Sequence, residues 1–209
     1  MRQTLPNLLS SSRLVVTFII FALILINQPW AFLTATVLFV LGSITDFFDG
    51  YLARRLHAIS SLGIFLDLTA DKIFVSALLI ALVQIGLVPA WVVVIIVARE
   101  FLVTSLRSIA AERGTRIPSG ALGKQKTFIT MVAMAGILLA KGLGASRLSL
   151  FPLMLVFNSQ TLDFPDILLL LADVLLLVGT LWTLLSGIEY TIGALPLFRT
   201  KGDTTTSQA

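Results

Sequence analysis

An all-α fold of six membrane-spanning helices is what this sequence predicts, and three observations carry that expectation. The first is composition: of 209 residues, 57% are hydrophobic and 12% are charged, and the mean hydropathy is +0.99. Soluble domains run at about 45–50% apolar and about 25% charged. Half the usual charge is missing, so lipid is the natural solvent for most of the surface. The second is that apolar stretches recur, each long enough to cross about 30 Å of hydrocarbon at about 1.5 Å per residue. The third is that turn chemistry separates them.

The first stretch, residues 8–26, follows Arg2 and superficially resembles a secretory leader. No small-x-small cleavage site follows, because the run ends in Asn27-Gln28-Pro29-Trp30, so a retained helix is expected. Beyond Gln28-Pro29 comes the second, 31–56, and a reversal near 57–61 leads into the third, 62–85. Residues 86–89, bounded by Gly86 and Pro89, open the fourth at 90–112. The glycines at 114 and 120 bracket the turn into the fifth, 121–140, and a long connection from Gly142 precedes the sixth, 164–184. Part of that connection, 151–163, is apolar enough to lie along the membrane interface. No repeat is visible, so one domain is expected over 1–198, with a flexible polar tail at 199–209.

Basic residues set the orientation. With the N-terminus in the cytoplasm, every Lys and Arg except Lys141 and Arg147 falls in the cytoplasmic half or its loops. Both termini are then cytoplasmic, in a cell's inner membrane. The net charge of +4 belongs to this asymmetry and to anionic lipid, so no nucleic-acid partner is expected. The absence of cysteine excludes disulfides, thiolate metal sites and cysteine nucleophiles.

Charge inside a membrane helix is costly, so each instance is a functional candidate. Asp46 and Asp49 stand at i, i+3 on the second helix, and Asp67 and Asp71 at i, i+4 on the third, each pair sharing a face. The short reversal between the helices brings both pairs to similar depth near the cytoplasmic turn. Carboxylates about 6 Å apart at an effective dielectric near 20 repel by about 3 kcal/mol per pair, so protons or cations must intervene. Hard oxygen donors without His or Cys favour Mg²⁺ or Mn²⁺, and two such ions would suit a diphosphate. Gly50, Ala53 and Gly63 leave room for close approach, and Arg54 can pair with an aspartate or a phosphate. Alternatively, the acids merely pair with Arg54, Arg55 and Lys72, or line an ion path. A path needs acids reaching across the membrane, whereas these cluster toward one face.

The pattern Asp46-x2-Asp49-Gly50-x2-Ala53-Arg54-x8-Gly63-x3-Asp67-x3-Asp71 closely resembles the motif of the CDP-alcohol phosphatidyltransferase family. That resemblance implies a six-helix membrane fold, a homodimer, and a polar cavity open to the cytoplasm. Asp46, Asp49 and Asp67 would be the main metal ligands. Asp71 would complete the metal site and act as general base on the acceptor hydroxyl. Asp49, Gly50, Ala53, Arg54 and Gly63, with Asn7, would bind CDP-diacylglycerol. Leu68-Thr69 and Ile64 depart from residues common in the family, but neither replaces a metal ligand.

The motif leaves the acceptor alcohol open. Leu5-Pro6-Asn7-Leu8-Leu9 with Arg13, Ala98-Arg99-Glu100-Phe101 with Arg107-Ser108, and Leu122-Gly123-Lys124-Gln125-Lys126-Thr127 resemble the family's bacterial phosphatidylglycerophosphate synthases. The resemblance implies sn-glycerol 3-phosphate as acceptor; inositol phosphate, serine and phosphatidylglycerol are the alternatives. The residues agree with an anionic acceptor. Arg99 and Arg107 lie near two helical turns apart on one face, and Lys124 and Lys126 begin the fifth helix, so the four are expected to converge on a phosphate. Glu100 is expected to orient Arg99 or Arg107. Asp163 and Asp166 suit the N-terminal end of the sixth helix, and Asp173, deeper in it, suits a local pairing or a dimer contact.

Overall fold

A computed structural model of the chain describes residues 4–56, 61–112, 114, 121–145 and 163–199, with side chains over 12–45, 69–112, 114, 125–145 and 163–195. Six helices follow one another: α1 Thr4–Ile26, α2 Pro29–Leu56, α3 Ser61–Gln84, α4 Ala90–Glu112, α5 Ala121–Gly142 and α6 Phe164–Arg199. All the described elements are helical, as the composition and turn spacing predict.

The helix ends follow from local chemistry. Asn27, at φ 52°, ends α1, its amide donating to the Ile24 carbonyl at 3.1 Å. Gln28 caps α2 by accepting from the Ala31 and Phe32 amides, and Pro29 takes the first helical position, where no amide is needed. Gly86 ends α3 at φ 76°: its amide donates to Val83 O and the Leu87 amide to Leu82 O, both at 2.9 Å. Those paired bonds form a Schellman cap, closed by the buried Leu82 and Leu87. Gly144, at φ 94°, repeats the device after α5, where the Lys141 ammonium also donates to Ala145 O at 2.9 Å. The Asp163 carbonyl accepts from the Asp166 and Ile167 amides, so both acids sit at the positive end of α6, as expected.

α6 departs from the expectation. It does not stop at 184 but continues through Gly187 and Gly193 to Arg199, the first residue assigned to the tail. Ser186 and Gly187 look like an ending, yet both pack against α4 through Arg99. Tertiary contact overrides their weak helix propensity. α1 likewise starts earlier than residue 8, with Pro6 tolerated in its first turn.

α5 lies along α6, α1 along α2 and α3, α2 against α5, and α4 against α6 and α3. The apolar core runs from Ile20 and Ile24 through Phe39, Phe74 and Leu78 to Met134, Ile137 and Leu176. Small residues let α5 and α6 approach closely: a Cβ on Gly136 would lie 2.9 Å from that of Ala172, and one on Gly179 3.2 Å from Thr130 Oγ1.

The surface of α6 differs from that of a helix in a water-soluble protein. On α6, Leu171, Val174, Val178, Leu181, Leu185, Ile188, Ile192 and Leu195 form an exposed stripe, while Asp173, Thr180, Thr183 and Ser186 are buried. Asp173 is wholly buried within one chain, so the dimer contact considered for it is set aside. Helical hydroxyls satisfy themselves: Thr17 donates to Arg13 O, Thr180 to Leu176 O and Thr183 to Gly179 O, at 2.7–2.8 Å. Such bonds leave no donor facing hydrocarbon. By length and composition, one helix among the described residues is apolar enough to cross a membrane, Phe164–Leu195, with shorter apolar helices at Ser12–Ile26 and Pro29–Thr45. α4 and α5 carry Arg99, Glu100, Arg107, Lys126 and Lys141, which lowers their hydropathy and sets them apart from α6.

Candidate functional site

The site grows from the α2–α3 hairpin. Phe39 and Phe74 stack with ring centroids 5.2 Å apart and planes 6° from parallel, beside Gly42, where a Cβ would touch the Phe74 ring at 3.5 Å. The connection between α2 and α3 is too short for anything but an antiparallel pair, and the stack sets their register. Asp46 follows Phe39 by seven residues and Asp67 precedes Phe74 by seven, placing both at about 10 Å along the axis from the stack. Asp49 lies deeper toward the connection, and Asp71 one turn from the stack. The backbone thus brings the four motif positions to neighbouring levels of two helices that meet at this stack. The side chains of Asp46, Asp49, Arg54 and Asp67, like those of Asn7, Ala53 and Lys124, lie outside the described residues, as does the reversal at 57–60.

Asp71 is described, and it opens onto a cleft shared by four helices. Asp71, Lys72 and Ser76 from α3, Glu100 from α4, Lys126 and Thr130 from α5, and Thr183 from α6 line it. Lys126 is buried and donates to Glu100 Oε1. The same oxygen accepts from Arg99 Nη1 at 3.3 Å. One carboxylate therefore joins two of the expected phosphate-binding cations. Lys72, on the rim, rests its ammonium 5.7 Å from the centroid of the Phe101 ring.

Arg99 and Arg107 share a face of α4, as their spacing predicts, and that face meets α6. Arg99 Nη2 donates to Ser186 Oγ, and its stem lies over Gly187, where a Cβ would stand 3.1 Å from Arg99 Cγ. Arg107 Nη2 donates to the Tyr190 hydroxyl at 2.8 Å. Both guanidinium groups lie against the Tyr190 ring, 5.8 Å and 5.3 Å from its centroid. Arg99 is 9% exposed, and its Nε has no hydrogen-bond partner; Arg107 is exposed. The expected convergence is thus drawn differently in detail. Arg99 and Lys126 meet through Glu100, while Arg107 joins Arg99 across a tyrosine. Glu100 orients Arg99, as expected, and its other partner is Lys126 rather than Arg107.

The model of the CDP-alcohol phosphatidyltransferase family matches residues 3–160, most of the chain and all of the acidic motif. The chain belongs to the CDP-alcohol phosphatidyltransferase family. It is an enzyme of that family. It is 41% identical over 162 residues to a CDP-diacylglycerol–glycerol-3-phosphate 3-phosphatidyltransferase of Bacillus subtilis, covering 78% of this chain and 74% of that protein. A protein of the same name from Rickettsia bellii is 40% identical over 137 residues, covering 66% and 76% of the two chains. A third, from Arabidopsis thaliana, is 33% identical over 160 residues, covering 69% and 68%.

The family match ends before α6, and α6 supplies what the sequence reading of this phosphatidyltransferase missed. Thr183, Ser186 and Tyr190 come from its C-terminal half and reach the cleft or the arginines. A signal was present: Thr180, Thr183, Ser186 and Tyr190 repeat at helical spacing on an otherwise apolar helix. Their shared face is buried.

Proposed function

We propose that this phosphatidyltransferase moves the phosphatidyl group of CDP-diacylglycerol onto sn-glycerol 3-phosphate, giving phosphatidylglycerophosphate and CMP. The observation that carries the reading is one cleft in which the last motif aspartate, Asp71, stands among Lys126, Glu100 and, through Glu100, Arg99. A carboxylate facing buried cations suits an acceptor that has both a hydroxyl to deprotonate and a phosphate to hold. The names of the relatives from Bacillus subtilis and Rickettsia bellii support the same acceptor.

The acceptor phosphate would lie toward Arg99, Arg107, Lys124 and Lys126, leaving its hydroxyl near Asp71. The hydroxyl oxygen attacks the phosphatidyl phosphorus as its proton passes to the Asp71 carboxylate. The phosphorus–oxygen bond to CMP breaks, and CMP departs with the electron pair. Asn7, Asp49, Gly50, Ala53, Arg54 and Gly63 would hold CDP-diacylglycerol. The donor set fits a hard divalent cation: carboxylates alone, at neighbouring levels on α2 and α3. Asp46, Asp49, Asp67 and Asp71 would hold Mg²⁺ or Mn²⁺, two ions per site, and the bound metal would offset the negative charge of the diphosphate.

The exposed apolar stripe of α6 supports a chain whose six helices all span the membrane. Both termini then face the cytoplasm of a cell's inner membrane, and the working unit is a homodimer. The deciding experiment follows CMP release by purified protein in detergent with CDP-diacylglycerol and Mg²⁺, with and without sn-glycerol 3-phosphate. Release requiring both metal and glycerol phosphate is expected, and Asp71→Asn should lower kcat by at least about 100-fold, the lower part of the range for general-base catalysis. Release supported by serine or an inositol phosphate but not glycerol phosphate would overturn the acceptor. Near-wild-type turnover by Asp71→Asn would remove the general base.

A further inference from the structure

α6 lies beyond the matched family region, yet its C-terminal half holds two arginines in place. Tyr190 touches both: its hydroxyl accepts from Arg107 Nη2 at 2.8 Å, and its ring lies 5.8 Å from Arg99 and 5.3 Å from Arg107. Two guanidinium groups against one ring are like charges held close together, an arrangement that favours an anion between or beside them. Arg99 shows which groups remain for it. Its Nη1 donates one N–H to Glu100 and its Nη2 one to Ser186, and the Nε of this buried side chain has no hydrogen-bond partner. A buried cationic N–H without an acceptor is costly unless a ligand oxygen completes it.

We propose that Tyr190 is a positioning residue for a phosphate monoester: with Ser186, it holds Arg99 and Arg107 side by side so that their remaining N–H groups receive one dianionic phosphate. The assignment rests on the acceptor reading above and extends it to α6. Tyr190 acts through the arginines, the ring restraining both guanidiniums and the hydroxyl fixing the turn of Arg107. Ser186 fixes Arg99 in the same way, and Gly187 leaves space for its stem.

Tyr190→Phe removes the hydroxyl and keeps the ring; Tyr190→Leu removes both. With wild type, both variants, Arg107→Ala and the double variant Arg107→Ala/Tyr190→Phe, initial rates separate the KM for each substrate from kcat. Tyr190→Phe should raise the acceptor KM about 10- to 150-fold, the range for one hydrogen bond to a charged group. The KM for CDP-diacylglycerol should stay within about twofold, since that substrate lies outside the proposed contact. Tyr190→Leu should be worse in the same direction. The double variant should match Arg107→Ala, because the hydroxyl acts only through that arginine. Equal changes in both KM values, or additive losses in the double variant, would overturn the proposal.

Calorimetric binding of inorganic phosphate to the detergent-purified proteins tests the same pocket without turnover. Weaker phosphate binding by Tyr190→Phe supports the positioning role even if the wild type proves to use a different phosphorylated alcohol, in which case only the acceptor assignment falls. Unchanged phosphate binding by a folded Tyr190→Leu protein would sink the inference itself.

Discussion

Glu100 is the residue on which the cleft's charge balance turns. It pairs with both Lys126 and Arg99. Glu100→Gln would leave two half-buried or buried cations facing each other across an amide. A stability loss of about 1–3 kcal/mol is expected, the usual cost of leaving such groups under-satisfied. The same variant should be rescued by anions, because a bound phosphate supplies the missing charge. Thermal unfolding in detergent, with and without about 10 mM phosphate, checks this through binding linkage. A variant whose midpoint falls equally in both conditions would show Glu100 to be a packing residue alone.

At this scale the sequence was informative wherever the partners lie on one helix. Arg99 and Arg107 share a face because eight residues make near two turns, and the structure keeps them there. What it could not show were partners from remote elements. Tyr190 is 83 residues from Arg107 and Ser186 87 from Arg99, and nothing in local spacing says which helix α4 will lean on. Glu100's second partner, Lys126, was hidden for the same reason.

Among the elements, α5 and α6 show how close approach is written into single positions. Gly136 lies so near Ala172 that even a methyl group would stand 2.9 Å from its Cβ, and the neighbour is a short side chain with no rotamer to yield. Gly136→Val should therefore force the helices apart, at a cost of about 1–3 kcal/mol from overpacking. Lys126 and Thr130 on α5 face Thr183 on α6 across the cleft, so displacement of the pair should also lower turnover. Melting and CMP release measured on one preparation check the two effects together. A Gly136→Val enzyme with wild-type melting would mean the seam is looser than its geometry. The starts of α4, α5 and α6 were legible because Pro89, Gly120 and Asp163 are unambiguous punctuation. The end of α6 was not, since a Ser-Gly pair that suggests an ending in isolation is stabilised here by Arg99.

For the whole molecule, the exposed apolar stripe of α6 and the buried Asp173, Thr180, Thr183 and Ser186 are the pattern expected of a helix whose outer face meets lipid. In that solvent the charged positions decide which way the chain is threaded. Lys and Arg crowd the ends of α2, α4 and α6 and the start of α5, whereas Lys141 stands at the opposite end of α5 and Arg147 just beyond it. Under the proposed topology, the positive-inside rule would put the α4–α5 connection in the cytoplasm and the α5–α6 connection outside. The native chain has no cysteine, so a single introduced thiol reports its own location without background. In intact cells, Ser146→Cys should react with a membrane-impermeant maleimide, and Ser119→Cys should react only after the membrane is opened. Retained CMP release in both variants would show that each is folded. The reverse labelling pattern would place Asp71 and the arginines on the outer side, away from a cytoplasmic supply of CDP-diacylglycerol and glycerol phosphate. It would break the proposed function at its topology while leaving the cleft's chemistry intact.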